Sequence, residues 1–169
     1  KDGYVIIRDA FNTDLPQKLL KFAQNEKDFK KAGISNANNL HIDNQKRRDK
    51  IYWLDEDYDI QSEFLSFTKG LKKYLNKELY LGLSYYESHF AIYKEGDFYE
   101  KHLDAFKQDK NRVVTTVFYL NNNWQKDDGG ELIIYNKDDK KLAEVAPEAN
   151  TLVVFMSEKF PHEVLKAKR

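Results

Sequence analysis

The stretch Arg112-Val-Val-Thr-Thr-Val-Phe-Tyr-Leu-Asn121 decides the fold class, because β-branched and aromatic residues dominate it. Similar short runs accompany it in the second half of the chain, at 84–93, 131–135, 142–146 and 151–155. Polar turns separate these runs, and Asp127-Asp-Gly-Gly130 is the strongest turn signal among them. Short strands at this spacing predict a sandwich or barrel rather than a parallel α/β sheet.

Helices are predicted in the first half of the chain. Thr13 and Asp14 are residue types that cap helices, and the apolar residues that follow them recur at helical spacing. We therefore expect a helix over residues 15–30 and a second, amphipathic helix over 61–76. A β-branched run at 3–8 predicts a first strand before them. Two early helices and a late run of strands indicate a β-sandwich that helices support on one face.

Composition narrows the class of protein. The chain has 169 residues without a repeat or a Pro/Gly-rich linker, so we expect one domain over residues 1–169. Its 28 basic and 28 acidic residues cancel, which argues against a dedicated nucleic-acid binder. The absence of cysteine excludes disulfides, thiolate metal sites and cysteine nucleophiles. No apolar run is long enough to span a membrane, so we expect a soluble, cytoplasmic protein.

Two of the four histidines stand in a context that suits a metal. His102 and Asp104 are two residues apart, so on a strand their side chains point to the same face. His162, which follows the apolar run at 151–155, is the natural third ligand. Two histidines and one carboxylate on one side of a metal form the facial triad of non-haem Fe(II) oxygenases. The His-X-Asp tripeptide alone is a weak signal, because such tripeptides also arise by chance.

The surrounding sequence makes the signal specific. The ordered segments are 48–53, 102–104, 112–121, 124, 129–132 and 160–164. Together they resemble the Fe(II)/2-oxoglutarate-dependent dioxygenases, and in particular the prolyl hydroxylase branch that includes the HIF prolyl hydroxylases and their bacterial relatives. The resemblance covers roughly residues 48 to 165, and in that branch the segment matching 48–53 forms a substrate-facing hairpin or loop.

The resemblance implies a mainly β (α+β) fold: a double-stranded β-helix, or jelly roll, with supporting amino-terminal helices. It implies that His102, Asp104 and His162 are the catalytic metal ligands for Fe(II). It also implies 2-oxoglutarate as co-substrate and ascorbate as a reductant. Related halogenases lose the carboxylate ligand, so the presence of Asp104 favours hydroxylation.

The resemblance also assigns residues to the co-substrate. Tyr119 matches a tyrosine near the far carboxylate of 2-oxoglutarate, and Thr115 shares its strand face. Tyr93 matches a second pocket tyrosine. The family places a basic residue about nine positions beyond the second histidine, and this chain ends at Arg169. Either Arg169 takes that role or the basic residue lies beyond a domain truncated at its carboxyl end, and we expect the second.

Substrate contacts are predicted at the mouth of the barrel. Arg112 and Asp49 match charged positions near the substrate entrance, and we hypothesise that they pair. Tyr99 is a further candidate, although it faces the site only if a bulge separates it from His102. The implied substrate is a prolyl residue of a protein, such as a translation factor or a ribosomal protein. A small molecule or a free amino acid stays open as an alternative.

Two other classes of function are compatible with these residues. A zinc-dependent hydrolase could use the same three ligands, and Glu163 is then the only obvious general base. Because adjacent strand residues point to opposite faces, Glu163 should point away from His162. The other class is a jelly-roll binding module without catalysis, against which the intact ligand set argues.

Overall fold

Short antiparallel strands make up most of the molecule. The computed structural model describes residues 3–36, 39–41, 43–55, 58–104 and 112–169. The strands and helices, in chain order, are β1 (Tyr4–Ile7), α1 (Leu15–Asn25), β2 (Lys30–Lys31), β3 (Ile34–Asn36), β4 (Asn39–His41), β5 (Lys50–Trp53), α2 (Asp59–Leu79), β6 (His89–Ile92), β7 (Tyr99–His102), β8 (Val114–Phe118), β9 (Leu132–Tyr135), β10 (Lys141–Val145), β11 (Leu152–Met156) and β12 (His162–Val164).

Two sheets pack face to face and enclose the main core. One has the strand order β1-β11-β8, and the other has the order β10-β9-β12-β7. Their shared core consists of Leu132, Ile134, Val145, Val153, Phe155 and Phe160. The central strands β9 and β11 are buried along almost their whole length, which explains why they are continuous apolar runs rather than alternating ones. This arrangement confirms the predicted antiparallel jelly roll.

The helices support one side of the strand assembly, as predicted. Leu15 and Leu19 of α1 are buried against Phe90 of β6, in a second apolar cluster. The third sheet, of order β2-β5-β6, and the separate hairpin β3-β4 complete the amino-terminal half. Neither helix of the described chain is both long and apolar enough to cross a membrane.

Helix α1 is shorter than the prediction of 15–30. It ends at Asn25 because Glu26 adopts an extended conformation. The Glu26 carboxylate then accepts hydrogen bonds from the amides of Lys27 and Asp28, at 2.7 and 2.8 Å. A side chain that bonds the following amides offers the backbone an alternative to the helix.

Two other predicted boundaries also move. Helix α2 is longer than the predicted 61–76, and the strand predicted at 84–93 begins only at His89. The residues before His89 are bound to α2 instead of a strand. The Asn76 side chain bonds the backbone of Leu83, and the Tyr86 hydroxyl donates to the Leu65 carbonyl. For the residues before His89, contacts with α2 therefore outweigh the strand propensity of the sequence.

The predicted turn before β9 is present and holds the end of the chain. Gly129 has φ +68°, and a Cβ there would lie 2.3 Å from the Lys166 carbonyl oxygen, so only glycine fits. The Trp124 indole donates to the Gly129 carbonyl at 2.9 Å. The close approach brings residues 166–169 alongside the turn.

We expect Phe155→Ala to lower the free energy of unfolding by about 3–5 kcal/mol, because Phe155 is 1% exposed in the main core. Val5→Ala on the neighbouring strand β1 should cost less than about 1 kcal/mol, since Val5 is 47% exposed. Urea unfolding followed by circular dichroism measures both. Equal losses in the two variants would contradict this assignment of the core.

Candidate active site

The three predicted ligands converge between the two sheets. His102 ends β7, and His162 begins β12 directly opposite it in the antiparallel register. Asp104 follows β7, with its carboxylate oxygens 3.4 Å from His102 Nε2 and 3.6 Å from His162 Nε2. One ligand atom from each residue lies within 4.8 Å of the others, which suits a single ion. The structure therefore brings together all three residues of the predicted triad.

Backbone carbonyls fix the tautomer of both histidines. His102 Nδ1 lies 2.7 Å from the Glu100 carbonyl, and His162 Nδ1 lies 3.0 Å from the Phe160 carbonyl. A carbonyl oxygen can only accept, so each Nδ1 carries the proton and each neutral ring keeps a lone pair on Nε2. Two lone pairs and the Asp104 carboxylate thus meet without a proton between them. This donor set fits a divalent cation.

Burial and neighbouring groups hold the site in the state that binds a metal. Burial alone would raise the pKa of Asp104, but the His102 and His162 imidazoles, when they are protonated, and the Thr115 hydroxyl lower that pKa well below its usual range. Burial lowers the pKa of His162, and the attraction of Asp104 opposes this only in part. An ionised carboxylate and a neutral imidazole are the forms that coordinate metals.

Thr115 contacts Asp104 in this structure. Its hydroxyl donates to Asp104 Oδ2 at 2.6 Å and lies 2.8 Å from the hydroxyl of Ser157, which is fully buried. Thr115 and Ser157 thus orient the carboxylate from the sheet opposite the two histidines. Ser157 could not be predicted from the sequence, because a serine just after a strand carries no signal of its own. A direct contact of Thr115 with the co-substrate stays a prediction.

Tyr93 and Tyr119 are both partly buried. Burial raises the pKa of each hydroxyl above its usual range, for Tyr93 together with the charge of Asp49. Both phenols therefore stay protonated at neutral pH and can donate hydrogen bonds. Tyr119 also packs against the main core. Their contact with 2-oxoglutarate remains a prediction.

The hypothesis that Arg112 pairs with Asp49 is wrong. Asp49 is fully buried and accepts two hydrogen bonds from Arg47, at 2.6 and 2.8 Å. Arg112 is half exposed and pairs instead with Glu87 at 2.8 Å. Arg47 precedes Asp49 by two residues and so shares its face, whereas the predicted partner lay on a distant strand. That spacing is the signal that could have identified Arg47.

A bulge brings Tyr99 onto the same face as His102. Opposite His162 and Val164, two residues apart on β12, strand β7 places His102 and Tyr99, three residues apart. Simple strand alternation would place two residues that are three apart on opposite faces. The extra residue in β7 instead places Tyr99 and His102 on the same face. The Tyr99 ring stacks on the His102 imidazole with centroids 3.6 Å apart and planes at 17°. The bulge that Tyr99 needs in order to face the site is thus present. Contact of Tyr99 with the substrate stays a prediction.

Arg169 lies beside the 126–130 turn rather than beside the triad. Its guanidinium is 3.1 Å from an Asp128 carboxylate oxygen and donates to the Asn123 carbonyl at 3.1 Å. More than half of its side chain is exposed. These contacts do not favour Arg169 as the cation for a buried co-substrate.

Glu163, which follows His162, is not positioned to act as a general base at the metal site. The Glu163 carboxylate accepts a hydrogen bond from the Tyr135 hydroxyl, which raises the pKa of Tyr135 to about 12. Register pairing opposes Glu163 to Ile133, one step out of phase with His162. Glu163 therefore faces away from the triad, as strand alternation predicts. This removes the base that a zinc-dependent hydrolase would need.

Comparison with known proteins defines the class. The family model described as "2OG-Fe(II) oxygenase superfamily" matches residues 88–169. A crystal structure of a Pseudomonas putida prolyl-4-hydroxylase superposes with a TM-score of 0.86 at 34% identity, covering 99% of this chain and 86% of that chain. The chain therefore belongs to the 2OG-Fe(II) oxygenase superfamily, whose members use Fe(II) and 2-oxoglutarate.

Two further similar proteins belong to the prolyl hydroxylase branch. A Caenorhabditis elegans hypoxia-inducible factor prolyl hydroxylase is 34% identical over 137 residues, which is 73% of this chain but only 18% of that protein. A Trichoplax adhaerens prolyl hydroxylase was solved in complex with a hypoxia inducible factor peptide fragment. It superposes with a TM-score of 0.81 at 27% identity, covering 99% of this chain and 79% of that chain.

Lowering the pH should weaken metal binding, because protons compete for the two Nε2 lone pairs. The pKa of His162 lies below its ordinary 6.5, so the decrease due to this ligand should begin only below that pH. Asp104 should stay ionised throughout, since its pKa lies below its ordinary 3.8. We expect a loss of roughly tenfold in Mn(II) affinity from about pH 7 to about pH 5, measured by electron paramagnetic resonance. A constant affinity over this range would count against the histidines as ligands.

Thr115→Val should weaken Mn(II) binding by about tenfold, because valine keeps the shape but leaves Asp104 without its orienting hydroxyl. Thr116→Val is the matched control, since Thr116 is exposed on the same strand. The control should bind Mn(II) within about twofold of the unmodified protein. Indistinguishable affinities of the two variants would contradict the role of Thr115.

Proposed function

We propose that this chain is the catalytic domain of an Fe(II)- and 2-oxoglutarate-dependent prolyl hydroxylase. In this proposal His102, Asp104 and His162 bind the iron and leave the opposite coordination positions open. The main support for this proposal is that the Nε2 atoms of both histidines, whose tautomers are fixed, and the ionised carboxylate of Asp104 lie close enough together to bind one ion. Retention of Asp104 supports hydroxylation.

The residues of the chain have separate roles in this mechanism. Bound iron and 2-oxoglutarate would activate dioxygen, of which one oxygen atom would convert a substrate C–H bond to C–OH and the other would enter succinate as 2-oxoglutarate loses carbon dioxide. The two Nδ1–H···O=C bonds hold the imidazoles in place, while Thr115 and Ser157 hold the carboxylate. No side chain has to act as a strong acid or base, which agrees with the lack of a base at Glu163.

The protonated hydroxyls of Tyr93 and Tyr119 are our candidates for the far carboxylate of 2-oxoglutarate. Both are neutral donors in a buried setting, where a hydrogen bond to an anion is stronger than in water.

A proline within a protein or peptide is the substrate that we propose. The similar Trichoplax enzyme was solved with a peptide fragment. In this chain Tyr99 lies beside the metal ligand His102, and we propose that the edge of its ring contacts the pyrrolidine ring. A translation factor or a ribosomal protein in the cytoplasm is the partner class that we propose.

The test incubates the chain with Fe(II), 2-oxoglutarate and a set of proline-containing peptides. We expect succinate release together with the gain of one oxygen atom by the peptide, measured by mass spectrometry. Asp104→Ala should lower the rate at least about a hundredfold, since it removes a ligand. Glu163→Gln should stay within about twofold, because Glu163 faces away from the metal.

The controls separate this function from its alternatives. Peptides in which alanine replaces the proline should gain no oxygen. Turnover with free amino acids but with no peptide would instead indicate a small-molecule hydroxylase. Mn(II) binding without succinate release from any substrate would indicate a binding module.

A further inference from the structure

The proposed mechanism assigns no role to one buried ion pair, which Arg47 and Asp49 form near the metal ligands. Arg47 and Asp49 have side chains only 14% and 0% exposed, and they share two hydrogen bonds. Burial alone would lower the pKa of Arg47, but the bonds and charge of Asp49 keep the guanidinium firmly charged. Removing two charges from water costs about as much as their attraction returns, so such a pair is weak evidence for stability. A role in positioning neighbouring side chains therefore explains the pair better than a gain in stability does.

The backbone around Arg47 runs along the edge of β7. The Glu100 amide donates to the Lys46 carbonyl at 2.9 Å, and the Arg48 amide donates to the Phe98 carbonyl at 3.2 Å. Between these two bonds, Arg47 forms an antiparallel bridge with Tyr99. The segment 46–48 thus forms an isolated antiparallel bridge to β7, at the edge of the sheet that carries both histidines.

The Arg47 side chain rests against the ring that covers a metal ligand. Its Cζ atom lies 4.6 Å from the centroid of the Tyr99 ring. Both carboxylate oxygens of Asp49 accept hydrogen bonds from one side of the guanidinium, from Nε and Nη2, so the side chain has little freedom to leave this position. Tyr99 in turn stacks on His102 at 3.6 Å. The contacts form one continuous series from Asp49 to the imidazole.

The His102 ring is held from two directions. The bond from Nδ1 to the Glu100 carbonyl fixes the ring within its plane. That bond alone leaves the ring free to tilt, and the Tyr99 ring limits the tilt because it lies nearly parallel to the imidazole. Ligand orientation matters because a metal is bound along the direction of the Nε2 lone pair.

We propose that Arg47 is a positioning residue for His102: fixed by Asp49, it holds the Tyr99 ring that sets the plane of the imidazole. This role rests on the proposed function, in which His102 binds the metal. In this proposal, segment 46–49 helps to set the geometry of the metal site. The same contacts tie the chain leading into β5 to the orientation of a ligand.

The experiment measures Mn(II) affinity by electron paramagnetic resonance and the visible spectrum of the Co(II) form, without substrate or 2-oxoglutarate. Arg47→Lys keeps the charge but loses the planar fork, so we expect about tenfold weaker Mn(II) binding and an altered Co(II) spectrum. Tyr99→Leu should have the same effect. Tyr99→Phe, which keeps the stacked ring, should bind Mn(II) within about twofold of the unmodified protein.

Arg48→Lys is the matched control. Arg48 is the next residue, its Cζ lies 5.2 Å from the Phe98 ring centroid, and it is exposed to solvent. The same substitution there should change neither the Mn(II) affinity nor the Co(II) spectrum. Circular dichroism and thermal unfolding identify the variants that are folded. If Arg47→Lys does not fold, Tyr99→Leu against Tyr99→Phe decides the question, because both variants retain Arg47 and Asp49.

The outcomes separate the two proposals. Loss of Mn(II) binding in His102→Ala, with wild-type affinity and spectrum in both Arg47→Lys and Tyr99→Leu, would overturn the positioning role and leave the metal site intact. Absence of Mn(II) binding in the unmodified protein would overturn the proposed function and the positioning role together. Weaker binding in Arg47→Lys and Tyr99→Leu, with both Tyr99→Phe and Arg48→Lys unaffected, would support the positioning role.

Discussion

The active site depends on one register, the pairing of His162 on β12 directly opposite His102 on β7. A slip of one residue would turn His162 away and bring Glu163 to the face where the ligands meet. The neighbouring bulge in β7 has a comparable effect on Tyr99, which it turns onto the face of His102. Strand pairing thus selects which of several polar side chains face a common point, and the buried core on both sheets keeps that pairing from shifting.

The site also joins the two sheets of the sandwich. The histidines belong to one sheet, whereas Thr115 lies on β8 of the other and Ser157 follows β11. Asp104 lies between them and contacts both histidines and Thr115. Buried polar groups are costly unless each has a partner, and these groups satisfy one another or fit a cation. These polar residues between the two sheets are therefore arranged around the metal position.

Much of the fold and the triad could be predicted from the sequence. The strands came from β-branched runs, the helices from apolar spacing, and the His102–Asp104 pair from its two-residue interval. The errors have particular physical causes. Helix α1 ends early because Glu26 bonds the next two amides, and residues 83–86 bind to α2 instead of extending a strand. The pairing of Arg112 with Asp49 was a hypothesis based on their matched positions near the substrate entrance, although a partner two residues away was already available in Arg47.

Residue type, strand alternation and the order of motifs are local properties, so they are enough to identify the class of fold and the chemical nature of the ligands. The folded chain settles which nitrogen of each histidine faces the metal, since the carbonyls of Glu100 and Phe160 have to be in place. It likewise decided the partner of Asp49, the bulge beside Tyr99 and the contact of Ser157 with Thr115. These features depend on register and on contacts between distant segments, and chain spacing alone does not encode such distances.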